Sequence, residues 1–356
     1  MAAALVAYLT LWPVPAEPVA WQAPVDAGYP GAHARNHRLA TLQHIDLGTD
    51  QGPEHVAMGP DGRLYVAVAS GNVLRMAADG SGREVFANTG GRVLGFDFDD
   101  AGNLIAADAI KGLLSISPAG ETTVLADAFD GQPIRFADAV VVADDGRIFF
   151  SDASTRFGPA DWGGTFEASL FDFLEMSATG RVFEYDPSRR ALRLVAHGLA
   201  FANGLALSSD QRSLLVVETG RYRVWRIDAD AQALDLREAT PKAGVLLDNL
   251  PGFPDNLMRG TNGRIWLGFA KPRSAAVDAM APHPFARKLV LRLPRALWPV
   301  PPAYGHVIAF TEDGRIVADL QDPSGAYAET TAATETPERL YIQSLHADTL
   351  GWLPNR

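Results

Sequence analysis

The sequence predicts an all-β fold, a six-bladed β-propeller with four-stranded blades and two lid-like insertions. A unit made of a turn, a β-rich run, a second turn and another β-rich run occurs six times in the 356 residues. The first three units are spaced by roughly 40 to 45 residues, the size of one four-stranded blade. In at least three units a polar break stands just before an apolar run, which indicates a chain that returns to the same place around a ring.

The six units are rich in Val, Ile, Tyr, Phe and Trp between turns marked by Gly and Asp. The segment Leu39 to Leu47 precedes the first unit and is strand-like. Because an open ring leaves an unpaired strand edge, we expect this segment to pair into the last blade. A β-sandwich is the structural alternative, but it does not explain six units with their polar breaks in register. The units begin at Asp61, Ala101, Asp145, Asp210, Asn262 and Pro337.

Composition limits the chemistry that this chain can carry out. The 47% hydrophobic and 21% charged residues are ordinary for a globular protein. A formal net charge of -11 argues against a nucleic-acid partner, since such proteins concentrate Lys and Arg, and it is compatible with cation binding. The chain has no cysteine, which excludes disulfides, thiolate nucleophiles and cysteine-ligated metals. No GxSxG, HExxH or Walker motif is present.

Residues 1–35 are predicted to form an apolar, Pro-rich tail ahead of a single propeller domain, residues 36–356. The apolar stretch Ala2 to Trp12 is about half the roughly 20 residues that a membrane-spanning helix needs. It also lacks the basic n-region of a secretory signal. Two interpretations remain: a packed or partly disordered tail, and the end of a membrane anchor. Four prolines predict that Pro13 to Gly31 is extended rather than helical.

Polar residues ahead of strand-like runs are candidate cation ligands. Asn203 lies in GLAFANGLALS, and its amide offers a neutral oxygen. Glu54 in GPEHVAM, and Asp255 with Asn256 in PGFPDNL, stand at similar places and supply carboxylates. This mixture suits a hard cation such as Ca²⁺. For each residue alone, the alternative is a strand-end polar group that hydrogen-bonds the backbone.

Two insertions interrupt the repeat. The first, Arg156 to Thr179, contains the Phe- and Leu-rich segment Phe166 to Met176, which we expect to be a helix or a flap over one face. The second, Lys271 to Tyr304, has apolar residues at near-helical spacing opposite a basic face, until Pro294 breaks the pattern. The apolar residues are Phe285, Leu289, Leu293 and Leu297, and the basic ones are Arg287, Lys288, Arg292 and Arg295.

The apolar face of the second insertion needs a surface to cover, and the mouth of the central tunnel supplies one. We therefore expect both insertions to act as lids, with Phe166, Phe285 and Leu289 in contact with the substrate. A lipid surface and an ordinary solvated helix are the alternatives, because the same segment is a basic amphipathic helix.

Long, ordered motifs resemble the strictosidine synthase-like family, in the branch that resembles the adipocyte plasma membrane-associated protein. They include GPEHVAM, FADAVVVADDGRIFFSDAS, GLAFANGLALS, LLVVETGRYRVWRI and NLPGFPDNL. The resemblance covers nearly all of the chain beyond about residue 35. It implies a six-bladed calcium propeller related to paraoxonases and gluconolactonases. It does not imply one reaction, since fold does not fix function.

The resemblance implies that Glu54, Asn203 and Asp255 match the central calcium ligands, and that Asn256 matches a further ligand of the paraoxonase-like branch. Another ligand asparagine of these relatives corresponds to Ala137 in FADAV, which cannot coordinate a metal. We expect Asp138 or a water to substitute, because Ca²⁺ accepts 6 to 8 oxygen ligands in flexible geometry.

Two further departures bear on the reaction. The acidic residue that amine–aldehyde condensation requires in the last blade corresponds to Thr331, with Glu329 and Glu335 out of register. The paraoxonase-type histidine that helps to activate water corresponds to Leu94. Alkaloid synthesis is therefore not expected. The remaining histidines of interest, which we expect to be structural or exposed, are His55, His283 and His346.

These observations favour a calcium-dependent hydrolase of the lactonase or arylesterase type, in which the metal polarises the carbonyl and Asp138 is the general base. Its partner is a small-molecule ester or lactone. The alternative is a non-catalytic or membrane-associated binding propeller with a structural calcium, which the loss at Ala137 favours. We expect a periplasmic or membrane-associated location, while a cytoplasmic one stays open, and the sequence indicates no oligomeric state.

Overall fold

The computed structural model describes residues 2–355. Within this range, six antiparallel sheets of four strands each stand in a ring, and the innermost strands of neighbouring sheets contact each other. The third sheet has one additional short parallel strand at its edge. The predicted six-bladed propeller with four-stranded blades is therefore confirmed.

The strands follow the repeat that the sequence predicts. In chain order they are β1 (Gln43–Asp46), β2 (His55–Met58), β3 (Leu64–Ala67), β4 (Asn72–Met76), β5 (Glu84–Asn88), β6 (Val93–Phe98), β7 (Leu104–Asp108), β8 (Gly112–Ile116), β9 (Thr122–Ala126), β10 (Ala128–Phe129), β11 (Gln132–Pro133), β12 (Ala137–Val142), β13 (Ile148–Asp152), β14 (Gly180–Asp186), β15 (Ala191–Leu199), β16 (Ala202–Leu207), β17 (Ser213–Glu218), β18 (Arg223–Asp228), β19 (Leu234–Asp235), β20 (Ala243–Leu247), β21 (Gly252–Arg259), β22 (Arg264–Pro272), β23 (Gly305–Thr311), β24 (Ile316–Asp322), β25 (Thr330–Glu335), β26 (Arg339–Ser344) and β27 (Thr349–Pro354).

Blades 1 to 6 begin at the axis with β2, β6, β12, β16, β21 and β25. Blade 6 is completed by β1, which pairs antiparallel with β27 so that Gln43 lies opposite Trp352. The expectation that the segment before the first unit closes the ring is confirmed. Because β1 is the outer strand of blade 6, this pairing covers the edge of β27 that would otherwise be free.

The core lies between the faces of adjacent blades. Every residue of β16 and of β25 is buried, because an inner strand has a neighbouring blade on each side. Between blades 4 and 5, for example, Leu215 and Val217 pack in one cluster with Ile265 and Phe310. Continuous apolar runs in the sequence are thus the inner and second strands of the blades.

Two glycines allow the inner strands of neighbouring blades to approach each other closely. A Cβ on Gly204 would lie 2.5 Å from the carbonyl oxygen of Asp255, and one on Gly95 would lie 2.8 Å from that of Asp138. Both distances are shorter than atomic contact allows, so these positions require a residue without a Cβ. The close approach brings the polar ends of blades 2 to 5 together at the axis.

The α-helices lie in the tail and in the two insertions. The Phe-rich part of the first insertion is helical, as expected. The second insertion breaks at Pro294, as predicted, since its second helix ends immediately before Leu293. The α-helices are α1 (Ala2–Leu11), α2 (Pro159–Trp162), α3 (Thr165–Glu175), α4 (Ala275–Met280) and α5 (Pro284–Arg292), and the 3₁₀ segments are Gly31–His33, Thr219–Arg221 and Arg295–Leu297.

The orientation of α5 differs from the sequence prediction. Arg287 and Arg292 are buried, whereas Phe285 is 56% exposed and Leu297 is 63% exposed. The reason is that the guanidinium groups bind main-chain carbonyls: Arg287 donates to Leu174 (3.1 Å), and Arg292 donates to Trp12 (2.7 Å). A planar group with five donors can satisfy several carbonyls that lack other partners. The prediction that the apolar side of this helix faces the protein and its basic side faces solvent is therefore wrong.

The tail packs onto the propeller and the insertions. The amide of Val19 donates to the carbonyl of Glu175 (2.8 Å), and Arg273 Nη2 donates to the carbonyl of Pro24 (2.6 Å). After α1 the tail is not helical until Gly31, which confirms the predicted extended segment. Across the described residues, no helix combines the length and apolar character that crossing a membrane requires.

Candidate functional site

A cavity of about 370 Å³ lies at the axis of the ring, a volume within the range of small-molecule sites. Its floor is polar and is formed by the ends of the inner strands. Its walls and roof are apolar and come largely from the two insertions. The floor residues that line it are Glu54, Arg92, Asp138, Asn203 and Asp255.

Irregularities in the inner strands aim the floor side chains at the axis. The pairing register shifts between Ala137 and Val140 in β12, between Ala202 and Leu205 in β16, and between Pro254 and Leu257 in β21. Asp138, Asn203, Asp255 and Asn256 all fall inside these shifts. A bulge in a strand re-aims a side chain that regular alternation would point into the interface between blades.

The structure brings the four predicted metal ligands together. Glu54, Asn203, Asp255 and Asn256 are each at most 6% exposed. Asn256 Nδ2 donates to Glu54 Oε1 (3.4 Å), so blades 1 and 5 meet across the axis. Ala137 contributes no polar group, whereas its neighbour Asp138 lies on the cavity floor.

The amide oxygens of the floor fit a cation. Among residues 2–355 no donor reaches Oδ1 of Asn203 or Oδ1 of Asn256, although both atoms are buried. A buried carbonyl oxygen without a hydrogen bond costs free energy, and such groups in native proteins are normally satisfied. A hard cation such as Ca²⁺ binds oxygen atoms of this kind.

The charge of the floor also fits a divalent cation. Three carboxylates, Glu54, Asp138 and Asp255, lie at one end of the cavity, and Arg92 pairs with Glu54 at 3.2 Å. Burial raises the pKa of Glu54 to about 7, although Arg92 opposes the shift. Burial, together with the charge of Glu54, raises the pKa of Asp138 and of Asp255 well above the usual range. A bound divalent cation would offset this concentration of negative charge.

The two positions where the family pattern is absent have other roles. Thr331 is buried on the inner strand of blade 6, and its hydroxyl donates to the carbonyl of Glu54 (2.8 Å). It therefore positions the main chain at a floor residue. Leu94 lines the cavity and makes its wall apolar.

Sequence reasoning missed a polar network at the cavity mouth. Lys271 and His346 line the cavity, and Glu329 holds both: Lys271 Nζ lies 2.6 Å from its Oε1, and His346 Nδ1 binds its Oε2. The hydrogen bond to Glu329 raises the pKa of His346. Lys271 is distant in sequence from the other two, which stand at the paired ends of β25 and β26, and no local pattern links the three. Arg92 was also missed, although it stands directly before an inner strand, as Glu54 does.

The first insertion roofs the cavity through one face of α3. Phe166, Leu170, Phe173 and Leu174 line it at helical spacing, and the ring of Phe166 stands edge-on to His346 with centroids 5.6 Å apart. The predicted position of Phe166 over the central tunnel therefore agrees with the structure.

The second insertion reaches the cavity through other residues than expected. Val277 and the segment 298–301 line the roof, and Arg295 forms an ion pair with Glu167 of the first insertion. Phe285 and Leu289 are not among the lining residues, because the buried arginines of α5 turn these side chains away. The expectation that they contact substrate is corrected accordingly.

Comparisons with known proteins agree with this architecture. A family model described as "Strictosidine synthase-like, N-terminal" matches residues 31–76, and one described as "Strictosidine synthase" matches residues 138–232. Protein STRICTOSIDINE SYNTHASE-LIKE 10 of Arabidopsis thaliana is 31% identical over 338 residues, covering 86% of each chain. Adipocyte plasma membrane-associated protein of Salmo salar is 30% identical over 345 residues, covering 89% of this chain and 79% of that protein.

Solved structures share the fold at low identity. A gluconolactonase of Xanthomonas campestris has a TM-score of 0.62 at 19% identity, covering 97% of this chain and 99% of that one. A calcium-binding protein, regucalcin, of Agrobacterium tumefaciens has a TM-score of 0.59 at 15% identity, covering 88% and 93%. The sequence relatives and the six-bladed ring together show that the chain belongs to the strictosidine synthase-like family.

Proposed function

We propose that the chain is a calcium-dependent hydrolase of small lactones or aryl esters. The observation that carries this proposal is the floor of the cavity, where three buried carboxylates and the donor-free amide oxygen of Asn203 lie below an apolar roof, with Asn256 bound to Glu54 beside them. Structural neighbours named gluconolactonase and calcium-binding regucalcin support it at the level of the fold.

Glu54, Asn203, Asp255 and Asn256 would hold the calcium ion. When bound, the ion supplies Lewis-acid polarisation of the substrate carbonyl. The apolar walls would bind the acyl or aryl part of the substrate and exclude bulk water from it. A cavity of about 370 Å³ limits the substrate to a small molecule.

Proton transfer is assigned to Asp138. In hydrolysis, water attacks the carbonyl carbon, the ester C–O bond breaks, and the proton that water loses passes to the leaving alcohol oxygen. A carboxylate on the floor can accept that proton and return it. Asp138 must be ionised for this role, and positive charge at the floor favours ionisation because it opposes the burial that raises the pKa. His346, held by Glu329 at the mouth, is the second candidate.

A specific observation favours a second candidate function, a propeller that binds at a membrane surface. Helix α1 buries none of its residues, and Leu5, Val6, Leu11 and Trp12 are 58 to 78% exposed. Tyr8 donates to the carbonyl of Arg292 (3.1 Å), so α1 lies against α5, whose Phe285 is also exposed. An exposed apolar surface of this kind fits the interface of a lipid bilayer. The name of the adipocyte plasma membrane-associated relative is in line with this role.

A panel of lactones and aryl esters separates the two functions. Turnover is measured with added calcium and after chelation, in the wild type and in Asp138→Asn. The exposed Asp100→Ala variant is the matched control, since Asp100 lies outside the cavity. Metal-dependent turnover that Asp138→Asn reduces by 10²-fold or more supports the hydrolase. Calcium binding without turnover of any substrate supports the binding propeller.

A further inference from the structure

A second group of metal-binding side chains lies outside the cavity, where the tail crosses blade 5. His33 ends the 3₁₀ segment Gly31–His33, His306 is on β23, and Asp319 is on β24. Asp319 Oδ2 lies 2.9 Å from His33 Nδ1 and 3.0 Å from His306 Nε2. The three ligand atoms all lie within 4.8 Å of one another.

The fold itself brings these residues together. In the antiparallel pair of β23 and β24, His306 lies opposite Gln321, so Asp319 is its diagonal neighbour on the same face. The tail is held beside them because Gln321 Nε2 donates to the carbonyl of His33 (3.0 Å). The amide of Leu39 donates to the carbonyl of Gln321 (3.0 Å) at the next turn of the tail.

The separations of Asp319 Oδ2 from the two imidazole nitrogens fit one tetrahedral metal ion, and the two nitrogens lie within 4.8 Å of each other. Zinc bonds to imidazole nitrogen and carboxylate oxygen are roughly 2.0–2.1 Å long, which places neighbouring ligand atoms about 3.3 Å apart. The observed 2.9 and 3.0 Å differ from that value by a few tenths of an ångström. Small side-chain rotations would therefore admit the ion without a change in the strands.

The surroundings of Asp319 resemble the outer shell of a metal site. Its other oxygen, Oδ1, accepts hydrogen bonds from Gln321 Nε2 (2.5 Å) and Asn36 Nδ2 (3.3 Å), which fix the carboxylate and leave Oδ2 to the two imidazoles. Arg38 reaches only the main-chain carbonyl of Asp319 (3.4 Å), and no described Lys or Arg pairs with its carboxylate. Hydrogen bonds of this type, from groups that do not touch the metal, orient metal ligands.

Both imidazoles direct a ring nitrogen at Asp319 Oδ2. A metal ion would take the place of the hydrogen that each nitrogen shares with that oxygen. Because an imidazole nitrogen and a carboxylate bind metals in their deprotonated forms, binding at this site should release protons.

We propose that His33, His306 and Asp319 bind a divalent transition-metal ion of the zinc class, and that the ion fastens the tail to blade 5. Two nitrogen ligands and one oxygen select zinc over calcium, which binds oxygen atoms. The side chain of His33 is 19% exposed, so solvent reaches the site and a water can supply a fourth ligand. The ion would join a tail residue to strands nearly 300 positions later in the chain.

Fastening at His33 restrains the preceding part of the tail. Between α1 and His33, the tail contacts the end of α3 through Val19 and the second insertion through Trp21, whose amide donates to the carbonyl of Ala281 (3.2 Å). Segments that lie on a surface with few buried contacts open readily and are cut by proteases. Metal binding is therefore expected to protect residues 13–30 from cleavage.

The test uses the full chain with saturating calcium, so that the central floor does not take up the added metal. Zn²⁺ is titrated calorimetrically, and Co²⁺ is used as a spectroscopic probe of tetrahedral coordination. His33→Gln is compared with His37→Gln, a matched control on an exposed residue of the same tail segment. We expect one zinc ion per chain, at least tenfold weaker binding in His33→Gln, and unchanged binding in His37→Gln.

Limited proteolysis tests the fastening. Zinc should slow cleavage within residues 13–30 in the wild type and in His37→Gln but not in His33→Gln. Asp319→Asn provides a second variant that keeps the shape of the side chain and should also lose zinc binding. Equal zinc binding by the two histidine variants, or no binding by the wild type, would overturn the site. Zinc binding without protection of the tail would overturn its role as a fastener. Asp255→Ala leaves this site intact, so its zinc binding is independent of the proposed hydrolase.

Discussion

Calcium should stabilise the folded ring through Asp255, and Asp255→Ala should remove that effect. Free calcium at a hundredfold excess over its Kd contributes about 2.7 kcal/mol if it binds the folded state only. An unfolding entropy of about 2.1 cal/mol/K per residue gives roughly 0.75 kcal/mol/K for 356 residues. The wild-type Tm should therefore rise by about 4 °C on adding calcium, and the Tm of Asp255→Ala by less than about 1 °C.

The same variant makes a second, opposite prediction in chelator. Asp255 is buried beside Glu54 and Asp138, and its pKa is raised well above the usual range because ionisation there is unfavourable. Removing this carboxyl at pH 8 relieves that cost, so without metal Asp255→Ala should melt no lower than the wild type despite the lost packing. The wild type should then melt above the variant only when calcium is added.

Scanning calorimetry at pH 8 with calcium or chelator measures both effects. Asp100→Ala, an exposed substitution, should respond to calcium as the wild type does. A Tm rise in Asp255→Ala equal to that of the wild type would show that the ion binds elsewhere. No rise in any of the three proteins would refute the calcium floor.

Four further outcomes are expected. The pKa of Glu54 is about 7 in the folded protein and about 4.5 in the unfolded chain. In chelator, the stabilisation that comes from protonated Glu54 should therefore be complete below pH 4.5 and be lost as pH rises through 7. The calcium-induced Tm rise should accordingly be larger at pH 8 than at pH 5. Ala137→Asn should tighten calcium binding in a calorimetric titration, and equal or weaker binding would mean that Asp138 or a water already fills that position. Leu11→Ser with Trp12→Ser should lower co-sedimentation with lipid vesicles, whereas Val85→Ser, an exposed blade residue, should not; equal loss in both would argue against a specific membrane surface. Gly204→Ala should lower the Tm by roughly 1 to 4 °C, since overpacking costs about 1–3 kcal/mol, and an unchanged Tm would contradict the close approach of β16 and β21.

The ring could be predicted from the sequence because repetition carries the information. Each blade repeats one local pattern, so six copies identified the fold and the segment before the first copy identified its closure. Glu54, Asn203 and Asp255 were found for the same reason, since the polar break ahead of an inner strand is part of the repeat. Their convergence follows from the symmetry of a ring.

The features that the sequence did not reveal depend on contacts between distant segments. Periodicity assigned Arg287 and Arg292 to a solvated face, but the carbonyls that they bind belong to the tail and to the first insertion. Glu329 and His346 flank the β25–β26 hairpin of blade 6, and Lys271 of blade 5 joins them only after the two blades have packed. No local pattern encodes such partners.

The pairing of β1 with β27 has a consequence for biosynthesis. These two strands lie about 310 residues apart, and a ribosome adding ~5–20 residues per second needs roughly 15 to 60 s to make the second after the first. During that interval β1 has no partner from its own blade, and an unpaired strand edge can join another nascent chain. The apolar Ile45 of β1, buried in the finished ring, is exposed for the same time. Chaperone demand during synthesis should therefore be concentrated on the first strand of the chain, although the last strand decides when the ring is complete.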